Sequence, residues 1–206
     1  MNTAKESMVP PFEISVFPDP AGSFTTAAAM VACTEKTLKD KFNTNLKDKN
    51  IIIYGGKGIV GGISAIMCAK EGSKCTIVGY DGITNVKKKA EEYKSRFGVD
   101  IIPADGTTDE LNSSYLPQAD IIFCAARAGT QVISEEQLKL AKNTKVLADV
   151  NAVPPAGLGG VNLKDDDAKH PCGGLSIGPL TSGDIKVKTQ YRMFEKMCAA
   201  NNPLYL

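Results

Sequence analysis

The chain has 206 residues, 43% apolar and 23% charged, an ordinary globular composition long enough to bury a core. Its 24 Lys and Arg offset 23 Asp and Glu, so the basic surplus that binding to phosphate backbones requires is missing. The one histidine, His170, excludes His-rich metal sites and leaves a single candidate base for a Ser-His or Cys-His pair, in what reads as a polar loop.

Residues 12–17 alternate apolar and polar and predict a strand, broken by Pro18 to Gly22. Residues 23–42 predict a helix, with a Ser or Thr cap at its start and lysines at its end. From there the chain alternates. Strands are expected at 51–54, 75–78, 100–102, 119–125 and 145–150, with helices at 59–70, 85–97, 109–115 and 134–142 between them. Ser134 and Gln137 have capping-box spacing. A Gly/Pro-rich loop then runs to about 174, followed by a short strand at 175–177 and a last helix at 183–200. Strands that are apolar throughout and separated by helices imply an α/β fold, a doubly wound parallel sheet of Rossmann type covered on both faces.

The six cysteines form no C-x-x-C pair, and most sit in apolar runs such as 121–125, so they read as small buried hydrophobes. The N-terminal residues have no signal pattern, and no apolar run is long enough to span a membrane. A reduced, cytoplasmic setting is expected, with no membrane partner, no nucleic acid and no metal.

Gly56, Lys57, Gly58, Ile59, Val60 and Gly61 match G-x-G-x-x-G between an expected strand and helix, the context that motif needs. Gly56 is assigned to the tight turn, Gly58 to close approach of a pyrophosphate, and Gly61 to helix–strand packing. The helix N-terminus then offers N–H groups and a positive dipole end to the phosphates. A P-loop is excluded because Lys57 is followed by Gly58, and no tyrosine has the Tyr-x-x-x-Lys spacing of short-chain dehydrogenases. Tyr80 and Asp81 close the second strand, about twenty positions after Gly61, where an acid would hold the adenosine ribose. No Arg stands beside Asp81, and Lys87 to Lys89 come at least a turn later, so NAD is expected to serve at least as well as NADP.

Ligands bind beyond the carboxyl ends of strands in such sheets. Two further loops lie there. Ala125, Ala126, Ala128 and Gly129 are small enough for a flat nicotinamide to approach, and Asp149, Asn151 and Ala152 precede Pro154 and Pro155. Asn151 could bond the carboxamide. Ordinary connecting loops would read the same way.

The runs 54–61, 149–157 and 185–190 resemble the NAD(P)-dependent methylene-tetrahydromethanopterin dehydrogenases of methylotrophic bacteria, and 24–32 resembles that family's interdomain helix. The resemblance implies hydride transfer from a methylene carbon bridging two pterin nitrogens to NAD or NADP. Those nitrogens stabilise the methenyl cation, so no general base is needed. It also implies a pterin-orienting role for Lys186, which by itself reads as a solvated helix lysine. Where NADP-preferring members carry a basic residue after the second strand, this chain has Tyr80 and Asp81. On this reading residues 1–45 are the strand-helix remnant of a pterin-binding domain with its linking helix, and 46–206 the dinucleotide-binding domain. The chain would be a shortened or split member, prone to form homo-oligomers through apolar surface at Phe12 and Phe17. A cofactor-binding module without catalysis is the alternative.

Overall fold

The structure, a computed structural model, describes residues 2–206. In chain order it contains α1 (Asn2–Glu6), α2 (Ser23–Phe42), β1 (Asn50–Tyr54), α3 (Ile59–Lys70), β2 (Lys74–Gly79), α4 (Ile83–Phe97) and β3 (Ile102–Asp105). Then come α5 (Asp109–Ser114), β4 (Ile121–Cys124), α6 (Glu135–Leu138), β5 (Val146–Asp149), β6 (Asp166–Lys169), β7 (Leu175–Ile177) and α7 (Pro179–Ala199). The strands form one seven-stranded sheet in the order β3-β2-β1-β4-β5-β7-β6. All pairs are parallel except β6 with β7. The chain order reverses between β1 and β4, the switch point beyond whose carboxyl edge doubly wound sheets place their ligand crevice.

The apolar strands are buried because helices cover both faces. Ile51 and Ile53 point to one core with Met30, Leu38, Ile77 and Phe123, while Ile52 and Tyr54 point to the other with Ile122 and Leu147. Period-two alternation within a fully buried strand puts neighbours on opposite faces, and both faces here are dry. α2 belongs to this packing, since Met30, Val31 and Leu38 join the first core.

Four elements differ from expectation. Residues 12–17 form no strand. The segment makes one bridge, Val16 to Tyr205, and leaves Phe12 81% exposed. Pro10 and Pro11 before it and Pro18 and Pro20 after it limit the donors and conformations available to a ladder. β3 starts two residues later than expected. Val99 and Ile101 are buried in the preceding loop, and the ladder begins at Ile102 opposite Thr76. The helix expected over 134–142 is a single capped turn, α6, followed by further turns to Ala141. β6, in the expected Gly/Pro loop, adds an antiparallel edge strand of polar residues.

The helix cap is also different. Neither Ser nor Thr caps α2; Gly22 is the N-cap residue, without a side-chain bond. Asp19 replaces it, its carboxylate accepting from the N–H groups of Phe24 at 2.9 Å and Thr25 at 3.3 Å. Finally, His170 is buried rather than in an open loop. Its Nε2 lies 2.8 Å from the Gly159 carbonyl, and its Nδ1 accepts the Cys172 N–H at 3.2 Å. All six cysteines are free, with Cys68, Cys75 and Cys124 buried. No helix among the described residues is long and apolar enough to cross a membrane.

Candidate functional site: a dinucleotide crevice

Three loops meet where the sheet order reverses. The Ala125 N–H donates to the Tyr54 carbonyl at 2.9 Å, and the Val150 N–H donates to the Cys124 carbonyl at 3.1 Å. The Gly129 N–H reaches the Asn151 side-chain oxygen at 3.3 Å. The segments 54–61, 125–129 and 149–155 therefore sit side by side.

Within the first loop the glycines divide their duties differently from the sequence assignment. The tight turn belongs to Gly55 (φ +81°), one residue before the motif, and a Cβ there would lie 2.4 Å from the Ala125 carbonyl oxygen. Gly56 instead makes room for Ile77, whose side chain would be 2.3 Å from a Cβ. Gly61 keeps its expected role, because a Cβ would meet the Gly55 oxygen at 2.6 Å. Gly58 is the N-cap of α3, and its only near neighbour would be the Gly55 oxygen at 3.2 Å. That leaves the space around Gly58 open for an incoming group.

The start of α3 has no side-chain cap. Among the described residues, the N–H groups of Ile59, Val60 and Gly61 have no acceptor, while Gly62 is the first to bond back, to the Gly58 carbonyl at 2.9 Å. Three free donors at the positive end of a twelve-residue helix fit a pyrophosphate. Tyr93 fixes this loop from behind. Its hydroxyl donates to the Gly56 carbonyl at 3.0 Å, and burial pushes its pKa up to about 12.

At the end of β2, Asp81 lies within reach of the first loop. Its Oδ2 accepts from the Lys57 ammonium, and from Asn85 Nδ2 at 3.0 Å. The bond from Lys57 is the main reason its carboxyl is held below the usual aspartate value. Sequence spacing found Asp81 and Lys57 separately but not their pairing, which depends on β1 and β2 lying side by side.

In the third loop Asn151 is buried, and its side chain bonds to the loop itself and to the loop beside it. Its oxygen accepts from Gly129 and from the Val153 N–H at 3.2 Å, and its nitrogen donates to the Pro155 carbonyl at 3.3 Å. These bonds make the side chain a brace of the loop wall. Asp149 is fully buried and ties the same loop down, accepting from the N–H groups of Asn151 and Leu158, both at 2.8 Å. Burial raises its pKa, against those bonds. Ala152 follows Asn151 on the exposed side of the turn.

Lys186 is placed apart from the glycine loop, on α7 beside the N-terminus of α2. A Cβ on Gly22 would lie 2.4 Å from its Nζ. One turn on, Gln190 donates to Asp19 at 2.9 Å. Thr37 of α2 shares a groove of about 380 Å³ with Leu180 and Ile185 of α7. The two helices thus run antiparallel. Asp19 had no sequence signature beyond an Asp between two prolines, and Gln190 stood out only as the end of the run 185–190. No group of three or more His, Cys, Asp or Glu suited to a metal occurs among the described residues.

No family model matches the chain. Two curated proteins of Methylorubrum extorquens (strain ATCC 14718 / DSM 1338 / JCM 2805 / NCIMB 9133 / AM1) are similar to it. One, the NAD(P)-dependent methylenetetrahydromethanopterin dehydrogenase, is 45% identical over 207 residues, covering 100% of this chain and 70% of the relative. The other, the bifunctional protein MdtA, is 27% identical over 201 residues, covering 98% and 68%. Among solved structures, quinate dehydrogenase from Corynebacterium glutamicum in complex with NAD superposes with a TM-score of 0.58 at 15% identity, over 82% of this chain. The chain spans 56% of that structure's length, and the likeness establishes the fold alone. With 45% identity across its whole length, the chain belongs to the family of NAD(P)-dependent methylenetetrahydromethanopterin dehydrogenases.

Proposed function

We propose that this chain is an oxidoreductase of one-carbon metabolism that transfers a hydride from a methylene-tetrahydropterin to NAD(P), leaving the methenyl form. The observation that carries the reading is the crevice between β1 and β4, with three unpartnered N–H donors at α3, in a chain 45% identical to a dehydrogenase of that name. NAD(P) supplies the hydride acceptor when bound.

The chain's own residues bind, orient and exclude water. The N–H groups of Ile59, Val60 and Gly61 hold the pyrophosphate, with Gly58 leaving room for it. Asp81 and Lys57 hold the adenosine end beside Tyr80. Ala125, Ala126, Ala128 and Gly129 form one wall of the nicotinamide pocket. The loop after β5, fixed by Asp149 and Asn151 and including Ala152, forms the other. No residue is required to take a proton, because the product cation is stabilised by its own ring nitrogens. Catalysis then rests on holding donor and acceptor carbons in register. Lys186 orients the pterin from α7, with Gln190 and Asp19 fixing the local frame.

Isothermal titration with NAD and NADP, followed by turnover assays on methylene-tetrahydromethanopterin and methylene-tetrahydrofolate, tests this reading. Cofactor binding with turnover of either pterin supports it; binding without turnover of either supports a non-catalytic module instead. Self-association belongs to the same proposal, because Phe12, Val187, Tyr191 and Phe194 are all exposed apolar side chains. A clean monomer in size-exclusion chromatography would count against that part. A cytoplasmic setting is part of the reading too.

A further inference from the structure

The pairing of Lys57 with Asp81 bears on which dinucleotide is used, and the argument rests on the cofactor reading above. Asp81 Oδ2 is occupied twice, by Lys57 and by Asn85 at 3.0 Å. Its Oδ1 accepts no hydrogen bond from another described residue. Lys57 comes from the glycine loop itself, and its ammonium also lies 5.4 Å from the centre of the Tyr80 ring. Both charged groups are partly open to solvent, with side-chain exposures of 23% for Lys57 and 33% for Asp81.

A lone aspartate at this position accepts the ribose hydroxyls of NAD and repels the 2′-phosphate of NADP. A lysine on the same carboxylate changes that balance. We propose that Lys57 and Asp81 form an exchangeable ion pair that gives this crevice dual cofactor use. Asp81 offers its free Oδ1 to the ribose diol of NAD, and Lys57 swings from Oδ2 onto the 2′-phosphate of NADP. The lysine stem has the rotamer freedom for that exchange, and its ammonium is a compact charge suited to phosphate. Asn85 keeps Asp81 partnered after the lysine leaves. The face of Tyr80 provides a site along the path, since a cation above an aromatic ring is favourable. Lys87 and Lys88, on α4 beyond Asn85, are not needed for this discrimination.

The test is titration calorimetry of the full chain with NAD, NADP and 2′,5′-ADP, for wild type, Lys57→Ala, Lys57→Arg, Asp81→Asn and Lys87→Ala. Lys57→Ala is expected to weaken NADP and 2′,5′-ADP about tenfold more than it weakens NAD, the scale of one lost charge-assisted bond. Lys57→Arg should restore most of that difference, and Asp81→Asn should shift the ratio toward NADP. Equal weakening of NAD and NADP in Lys57→Ala would overturn the proposal, assigning Lys57 to the shared pyrophosphate. A selective loss of NADP in Lys87→Ala with none in Lys57→Ala would overturn it as well. If wild type binds neither dinucleotide, the cofactor reading itself fails, a result distinct from both. Circular dichroism of each variant separates a folding loss from a binding loss.

Discussion

Gly58 and Gly61 lie three residues apart in one motif, yet alanine should harm them in opposite ways. At Gly61 a Cβ would stand 2.6 Å from the Gly55 oxygen, 2.9 Å from its carbonyl carbon and 3.0 Å from the Gly56 Cα. All three are backbone atoms, so relief requires the start of α3 to move off the loop by several tenths of an ångström. Overpacking of that kind costs about 1–3 kcal/mol. For a chain of this length that corresponds to a fall in Tm of roughly 3–10 °C. At Gly58 the backbone is ordinary for any residue, with φ −72°, and the only close neighbour of a Cβ would be one oxygen at 3.2 Å. Gly58→Ala should therefore keep its Tm within about 2 °C of wild type, the shift expected of less than 1 kcal/mol. The methyl group would, however, occupy the space next to the free N–H groups of α3. Losing close contact there should weaken both NAD and NADP by about tenfold or more, one charge-assisted bond's worth. Differential scanning calorimetry and cofactor titration on the two variants decide the matter. A Gly58→Ala protein that binds both dinucleotides as wild type does would refute the placement of the pyrophosphate. A Gly61→Ala protein of unchanged Tm would refute the packing argument.

Three other outcomes are expected. Asp19→Ala removes the cap of α2 and the bond from Gln190, and should cost about 0.5–2 kcal/mol at neutral pH in chemical denaturation. Burial works against the Asp19 charge, but the bonds it accepts hold its folded pKa below the usual value of 3.8. Its contribution is thus full above that value and lost as pH falls through the lower folded pKa, so wild type and variant should converge in strong acid. A constant gap down to the lowest pH would contradict this. Asp149→Ala strands the buried N–H groups of Asn151 and Leu158, and should destabilise the chain by about 2–5 kcal/mol; a loss under 1 kcal/mol would show that the loop after β5 is held by other means. Lys186→Ala should raise the KM for the pterin while leaving cofactor affinity alone, and unchanged pterin kinetics would remove its assigned role.

The sequence exposed the centre of this fold and hid its margins. β1, β2, β4 and β5 are short apolar runs buried on both faces, and burial of that kind leaves a direct compositional mark. β6 leaves none. Its residues are Asp-Asp-Ala-Lys at the sheet edge, where one side of the ladder and part of each face meet solvent. Residues 12–17 show the reverse error, an alternating pattern with no strand beside it to pair with. In the site, the glycine motif was legible because it is local, though the residue carrying the left-handed turn, Gly55, stood one place earlier. Asn151 and Asp149 were recognised as notable from their place after a strand. Only the folded loop shows that both side chains also bond to its own backbone. The Lys57–Asp81 pair could not be read from spacing at all, because 24 residues separate the partners and the contact exists only once β2 lies beside β1.

The most direct test of the proposed activity is a spectrophotometric assay of the purified full chain with methylene-tetrahydromethanopterin and either NAD or NADP, following reduced nicotinamide and the methenyl product together. Equimolar appearance of both, dependent on protein and slowed at sub-saturating cofactor in a Gly58→Ala variant that remains folded, is the expected result. Tight cofactor binding with neither product formed, from this pterin or from methylene-tetrahydrofolate, would contradict the dehydrogenase reading.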